Sequence, residues 1–457
     1  MAPIPLKHDM ALYTKAVLRL IRVGARNNLR KVISKSHPYE LARLLEGIGP
    51  AERRELLGLT YEGGKLGHVL LELVEDMRIK ILNDLEDPMI MRIVSELSTD
   101  DAADLLEILP RDRYDRILNS VRDPFLRRQI RQLMSFDSST AGGIMQTEFC
   151  ALPETDSVGR AVEMIKQRGR ESPFFYLYTL DEDHRLSGVV SLRQLLLSEN
   201  EQTLGSIANK QIVKVCLDED QERIASLVYK YDLLAVPVVD AKNHLVGIIT
   251  IDDVMDVVEE EASEDIYKLA GSNVEELMYG NRILKISRVR LPWLIISIIT
   301  GFLTANVIHF FNSTLAQVIS LAFFIPIITG MSGNVGTQSA AITVRGIAVG
   351  RIGLQVFTGT VLREMRVGFT LSLVCGGLVG LAGWLWLGNP TLGLVIASAM
   401  ICGITFAATT SSFMPILFSR LGIDPAVASG PLVTTLNDCT SITMYLGIAS
   451  LLERYLT

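Results

Sequence analysis

Asp438 stands alone in an otherwise uncharged, apolar stretch of helical length, Ala426 to Leu452, one of five such stretches in the last third of the chain. A carboxylate at the centre of a bilayer costs about 2.5–3.5 kcal/mol on insertion scales unless it faces water, an ion or a partner group. The natural use of an acid facing a membrane cavity is to attract a cation; the other use is a helix–helix hydrogen bond made by a protonated acid. Two polar segments accompany it. Residues 326–338 read PIITGMSGNVGTQ, in which Pro326 removes a helix hydrogen bond and Gly330, Gly333 and Gly336 allow close backbone approach or a break. Asn334, Thr337 and Gln338 are expected to face protein or water. Residues 429–441 read SGPLVTTLNDCTS; Pro431 frees the carbonyl of Val427, and Thr434 and Thr435 lie one turn before Asp438 on its helix face. Small-residue packing with local hydroxyl bonds accounts for several of these positions, but polarity at similar depth in both segments favours a shared cavity.

The elements that must position these groups are membrane spans. About 20 apolar residues cross a bilayer, and spans are expected at about 291–311, 317–344, 361–387, 392–418 and 426–452. The links 312–316 and 388–391 carry no charge. The other links hold Arg345, Arg351, Arg363 and Arg366, and Arg420, while Arg282, Lys285, Arg288 and Arg290 flank the first span. All fall on one face if the N-terminus is cytoplasmic, and an odd number of spans then puts the C-terminus outside. Trp293, Trp384 and Trp386 sit near span ends, as interfacial aromatics do.

Charge divides the chain at the same boundary. The 457 residues carry a net charge of −7, yet from Leu291 onward there are four acids and six arginines and no lysine. Residues 1–290 therefore hold 47 acids against 38 lysines and arginines. An acidic soluble part of this length suffices for two domains; its sign argues against nucleic acid and is compatible with metal cations. The five cysteines form no CxxC pair, so neither a disulfide framework nor a zinc site is expected, in keeping with a reducing cytosolic side. The start, MAPIPLKHDM, lacks the apolar core of a signal peptide, which leaves targeting to the first span.

Within the soluble part, HRLSGVVSLRQLL at 184–196 and NHLVGIITIDDVM at 243–255 repeat at a 59-residue spacing, with Gly188 matching Gly247. Each follows a helix-like stretch (Val158–Arg168; Ile224–Tyr231) and a β-rich run (Phe174–Leu180; Ala235–Val239). This layout and the turn resemble a tandem CBS module. Some CBS pairs bind adenine nucleotides, with an Asp three residues after the Ser or Thr accepting ribose hydroxyls. The second repeat has it (Thr250, Asp253), whereas the first carries Ser191 and Gln194; Tyr176 and Arg193 are the nucleotide-binding candidates. Upstream, residues 30–135 show helical periodicity, as in Leu41, Leu44, Leu45 and Ile48. Pro38, Pro50, Pro88, Pro110 and Pro124 punctuate it, the pattern of a small superhelical stack. Downstream, positions 252–265 hold eight acids and no base, with Asp253, Asp256, Glu260 and Glu264 near one helix face. Close carboxylates repel by up to about 4 kcal/mol per pair at 4 Å in an intermediate dielectric. A divalent cation would remove that repulsion.

These parts, in this order, resemble the MgtE family of magnesium channels and transporters over nearly the whole chain, with PIITGMSGNVGTQSA (326–340) and GIDPAVASGPLVTTLNDCTS (422–441) as the specific motifs. The implied fold is a helical superhelical N domain (1–138), α/β tandem CBS domains (139–200 and 201–260), a connecting plug helix (261–290) and a five-helix transmembrane pore domain (291–457). The resemblance implies a homodimer in the cytoplasmic membrane with the pore on its twofold axis and Asp438 as the ion-selecting acid. Thr434 and Asn437 would stand beside it, and Asn334, Gln338 and Gly430 would support the pore. It further implies that Mg2+ is both substrate and regulator. The regulatory positions would be Glu222, Asp232, Asp253, Asp256, Glu261, Glu264 and Asp265, with Asp100, Asp101 and Asp104 as N-domain candidates. Gly430 stands where family members can carry Asn, and Ser332 interrupts their Gly-Gly-Asn run.

Three competing functions remain at the level of sequence. Another divalent ion, such as Co2+, Mn2+ or Ca2+, could be the substrate; carboxylate, hydroxyl and carbonyl oxygens suit Mg, Ca or Mn better than zinc or copper. A CBS-regulated membrane metalloenzyme would need ligands such as HExxH, and the membrane part has one histidine, His309. A purely regulatory anchor leaves Asp438 without a role.

Overall fold

The computed structural model describes residues 7–168, 175–272, 283–348, 352, 357–429 and 431–452. Gly430, Arg282, Arg351 and most of the middle of the connecting segment (273–282) lie outside the described residues. The chain forms two compact units, residues 1–257 and 258–457.

The first unit begins with ten helices, α1 (Lys7–Val23), α2 (Arg26–Lys35), α3 (Pro38–Gly47), α4 (Pro50–Glu62), α5 (Leu66–Leu71), α6 (Glu75–Asp84), α7 (Asp87–Glu96), α8 (Thr99–Glu107), α9 (Arg111–Ser120) and α10 (Pro124–Leu133). The expected prolines set their starts. Pro38, Pro50, Pro88 and Pro124 occupy the first or second helical position, where a missing N–H costs nothing, and Pro110 is the N-cap of α9. The apolar stripes meet in one core: Leu41, Leu44, Leu45, Leu70, Leu82 and Leu106 are fully enclosed.

After α11 (Ala141–Ile144) come two copies of one sheet. In the first, β1 (Ala151–Pro153) leads through α12 (Val158–Arg168) to a parallel partner, β2 (Tyr176–Leu180), which pairs antiparallel with β3 (Leu186–Ser191). After α13 (Leu192–Leu197) and α14 (Leu204–Ile207), β4 (Val215–Cys216), α15 (Gln221–Tyr231), β5 (Ala235–Val239) and β6 (Leu245–Thr250) repeat the arrangement. The 59-residue spacing has a structural cause at each step. Both hairpins turn on a left-handed residue, His184 and Asn243, and both strand pairs are irregular at equivalent points, Thr179/Leu180 and Val238/Val239. Gly188 and Gly247 match because neither can carry a Cβ: it would stand 2.6 Å from the Thr179 hydroxyl in one and from the Met145 sulfur in the other. The second repeat shares its core with the N-terminal helices, through Val236, Val238 and Ile249, whereas the first has its own, around Val158, Leu177 and Val190.

The last helix of the second repeat runs on into the connecting segment as a single 19-residue helix, α16 (Ile251–Leu269).

The second unit contains α17 (Ile283–Phe310), α18 (Asn312–Gln317), a 3-10 turn at Ile319–Phe324, α19 (Ile325–Ala348), α20 (Phe357–Leu387), α21 (Pro390–Arg420), a 3-10 turn at Pro425–Ser429 and α22 (Pro431–Leu451). Four of the described helices or helix pairs, those at 283–310, 319–348, 357–387 and 390–420, are long and apolar enough to cross a membrane. α22, the expected fifth span, is a helix of 21 residues but more polar, because it carries Thr434, Thr435, Asn437, Asp438, Thr440, Ser441 and Thr443. Of the two openings the glycines of the second span left, close approach or a break, no break occurs within the helix: α19 runs unbroken through Gly330, Gly333 and Gly336, and Pro326 sits in its first turn. There a proline's missing N–H is one the first turn leaves without an intrahelical partner in any case. The break lies earlier, at the 3-10 turn. Along α20, the buried Gly368, Ser372, Gly376, Gly380 and Gly383 let its backbone approach α21, the small-residue contact on which helices associate in lipid.

Candidate functional site

Asp438 lies in α22, half-buried, and its carboxylate makes no hydrogen bond or ion pair among the described residues. Its neighbours are held on several sides. The Thr435 hydroxyl donates to that of Thr300 in α17 at 2.9 Å, and the Cys439 thiol lies 3.2 Å from the Thr304 hydroxyl in the same helix. Thr434 is exposed one turn before Asp438, alongside Gly333 of α19.

Asn437 departs from its expected place. It is fully buried; the Thr410 hydroxyl donates to its Oδ1 at 3.2 Å, and its Nδ2 donates to Ser411 Oγ at 2.9 Å. An amide committed to α21 is not available to an ion beside Asp438, because successive helix residues point about 100° apart. Asn334, Thr337 and Gln338, expected to face protein or water, form an exposed face of α19.

Sequence reasoning passed over a second buried acid. Glu364 in α20 is 4% exposed; it accepts a hydrogen bond from Ser339 of α19 at 3.1 Å and pairs with Arg363 at 3.0 Å. Only its lack of neighbouring acids marked it in the sequence. Lys268, the base that follows the acid run, was passed over as well. Its ammonium lies 2.6 Å from Glu264 and 2.5 Å from Asp424, whose other oxygen accepts the Ala426 N–H. Asp265 stands nearby, and burial together with the Asp424 charge raises its carboxyl above the usual range.

The regulatory candidates fall into groups. Glu222 is in the first turn of α15, and Asp232 ends that helix in a left-handed conformation; both are exposed, as is Asp256. Glu261, Glu264 and Asp265 are half-buried on the later part of α16. Asp253 is brought towards Asp100 and Asp101 of α8. It accepts the Thr250 hydroxyl at 2.6 Å and the Thr250 N–H at 3.1 Å, and burial, with Asp252 and Asp101, pushes its carboxyl up to about 6. Asp100 is 8% exposed, and one of its oxygens has no partner among the described residues. Burial first, then the charges of Asp253 and Asp101, push it up to about 8. Thr99 anchors this start of α8: it donates to Glu148 at 2.9 Å and accepts the Thr147 N–H at 3.1 Å. Asp104 is exposed on the same helix. Among the described residues, no three His, Cys, Asp or Glu side chains of the single chain are gathered closely enough to hold a metal ion.

The buried Asp100 carboxyl has a measurable consequence. Because its folded value lies above the unfolded one, ionising it opposes folding. That cost is absent at low pH, accrues as pH rises from the ordinary carboxylate range to about 8, and is constant beyond. Asp100→Asn is therefore expected to stabilise the metal-free protein at pH 8 by on the order of 2 kcal/mol, and to flatten the fall of its melting temperature between about pH 5 and 8. Thermal melts in chelator across that range check this, and equal slopes for both proteins would contradict it.

Between the two repeats lies a pocket of about 200 Å³, lined among others by Tyr176, Tyr178, Ser191, Gln194, Asn209 and Pro237. Tyr178 is buried, and its hydroxyl has no partner among the described residues. Tyr176 is part of this lining. Arg193 is not: it is exposed on α13 and outside the lining. Gln194 caps α13 by accepting the Ser191 N–H at 2.9 Å and hydroxyl at 3.0 Å, as Asp253 does for Thr250.

Comparison with known proteins gives concordant matches. Residues 325–448 match the family model of MgtE divalent cation transporters, 36–139 that of the MgtE intracellular N domain, and 141–200 and 204–260 that of CBS domains. The chain is 32% identical to the magnesium transporter MgtE of Bacillus subtilis, over 96% of this chain and 97% of that one. It is 35% identical to the same-named protein of Thermus thermophilus, over 94% and 96%, and 40% identical to that of Enterococcus faecalis, over 70% and 71%. Among solved structures, the cytosolic domain of the Mg2+ channel MgtE in complex with ATP covers 53% of this chain and 99% of its own, at 31% identity and a TM-score of 0.50.

Proposed function

Because the chain belongs to the MgtE family, whose curated members are named magnesium transporters rather than enzymes, we propose that it carries Mg2+ across a membrane with Asp438 as the ion-selecting group. The observation that carries this reading is an acid in an apolar helical unit whose carboxylate has no partner among the described residues. Mg2+ dehydrates reluctantly and keeps several waters. A carboxylate in low dielectric, with the Thr434 hydroxyl one turn away, can receive those waters as acceptors.

One aspartate per chain is little charge for a divalent site. A homodimer with the pore on its twofold axis would double it. The reading places the N-terminus in the cytoplasm, so that Arg345, Arg363, Arg366 and Arg420 share the cytoplasmic side. Cytosolic Mg2+ would close the pore by neutralising the acids of α8, α15 and α16. The pocket between the repeats would take an adenine nucleotide, as the solved relative takes ATP. With Gln194 committed to capping, ribose recognition would be weaker there.

The test is Mg2+ influx into proteoliposomes of the purified full chain, with Co2+, Mn2+ and Ca2+ as competitors. Saturable Mg2+ influx is expected. No flux above empty vesicles, or preferred flux of another of these ions, would overturn the reading.

A further inference from the structure

The side-chain amide of Asn437 is a polar group at which three helices of the membrane unit meet. Thr410 and Ser411 of α21 satisfy its two ends. Gly336 of α19 faces it so closely that a Cβ there would overlap the amide nitrogen and stand 2.8 Å from Ser411 Oγ. The backbone carbonyl of residue 437 accepts hydrogen bonds from Thr440, at 3.1 Å, and from Ser441. In apolar surroundings each of these bonds is costly to break, because neither partner regains water.

The next residue is Asp438. Successive residues differ by about 100° around a helix, so fixing the direction of residue 437 fixes that of residue 438. Asp438 has no bond of its own among the described residues to do this. A turn of α22 by about 20° would move a side-chain tip by roughly 2 Å, several times the tolerance of about 0.5 Å that a preorganised site allows.

We propose that Asn437 is the positioning residue of the ion site: its amide, clamped by Thr410 and Ser411 over Gly336, sets the rotation of α22 and so where the Asp438 carboxylate stands. This rests on the reading of Asp438 as the selecting acid. Asn437 itself never touches the ion.

The experiment measures Mg2+ influx, half-saturation and Ca2+ competition in proteoliposomes, together with the melting temperature of each full-length variant. Asn437→Ala is expected to raise the half-saturating Mg2+ concentration about tenfold, equivalent to about 1.4 kcal/mol, with Ca2+ discrimination falling by a similar factor. Ser411→Ala should move both in the same direction and less far, and serves if Asn437→Ala does not fold. The double variant Asn437→Ala with Gly336→Ala separates positioning from packing, since the added methyl fills the space the amide leaves. Recovery of melting temperature without recovery of selectivity supports positioning. Recovery of both, or unchanged half-saturation and selectivity in Asn437→Ala and Ser411→Ala, overturns it. Asp438→Ala runs alongside. If it transports like the parent chain, the reading of Asp438 itself is wrong and the positioning role falls with it. If it is inactive while Asn437→Ala is unaltered, only the positioning role falls.

Discussion

Asp438→Ala is expected to lower Mg2+ influx by about a hundredfold or more while leaving the protein assembled. On the proposed reading, the substitution removes the carboxylate that would accept hydrogen bonds from the waters of a hydrated ion. Two charge-assisted bonds in a dry wall are together worth about 3 kcal/mol, and each 1.4 kcal/mol is about a factor of ten. Assembly should not suffer. No hydrogen bond or ion pair of Asp438 within the chain is lost among the described residues, and a charge that costs about 2.5–3.5 kcal/mol to place in lipid is removed. Asp438→Asn keeps one acceptor without the charge and should retain part of the flux. Influx into liposomes at matched protein content, with elution profiles showing equal assembly, checks this. Parent-level influx by Asp438→Ala would end the reading.

Periodicity, proline spacing and hydropathy were enough for most of the architecture, because each acts locally. The helix starts followed the prolines, and the two sheets followed a 59-residue repeat whose glycines and left-handed turns recur in register. The misreadings came where contact with another helix decides. Asn437 and Asp438 are adjacent polar residues, and nothing along the chain says that one is buried against Thr410 and Ser411 while the other is not. The glycines in α19 left close approach and a break both open, and only the packing decides: at Gly336 the missing Cβ gives room to a neighbour's amide. Lys268 was invisible because its second partner, Asp424, lies 156 residues away. The resemblance offered Asp100 only as one of three N-domain candidates, with Asp101 and Asp104. The burial of Asp100 against Asp253 depends on how the N-terminal helices pack on the second repeat, which no local pattern encodes.

Saturating Mg2+ is expected to protect residues 99–107 and 251–269 from hydrogen exchange, and the same titration should lower ion flux. Without a cation, Asp100, Asp101 and Asp253 bring acids to one contact, and burial together with the neighbouring acids raises the carboxyls of Asp100 and Asp253. A bound divalent ion converts that repulsion into attraction, so the contact tightens. α16 can carry the change, because it is one continuous helix from Ile251 to Leu269 and its far end is ion-paired to Asp424, in the turn that leads into α22. Ammonium groups at the acid positions should imitate the metal: Asp253→Lys with Asp256→Lys is expected to be protected, and to conduct poorly, even in chelator. Removing residues 1–135 takes away α8 with its Asp100 and Asp101, and should weaken inhibition by Mg2+. Exchange measured by mass spectrometry from low to saturating Mg2+, beside flux from the same preparations, decides the matter. Protection that stays constant across the titration would exclude gating by these acids even if Asp438 conducts. Protection that rises with no fall in flux would make α8 and α16 a Mg2+ site without a gate.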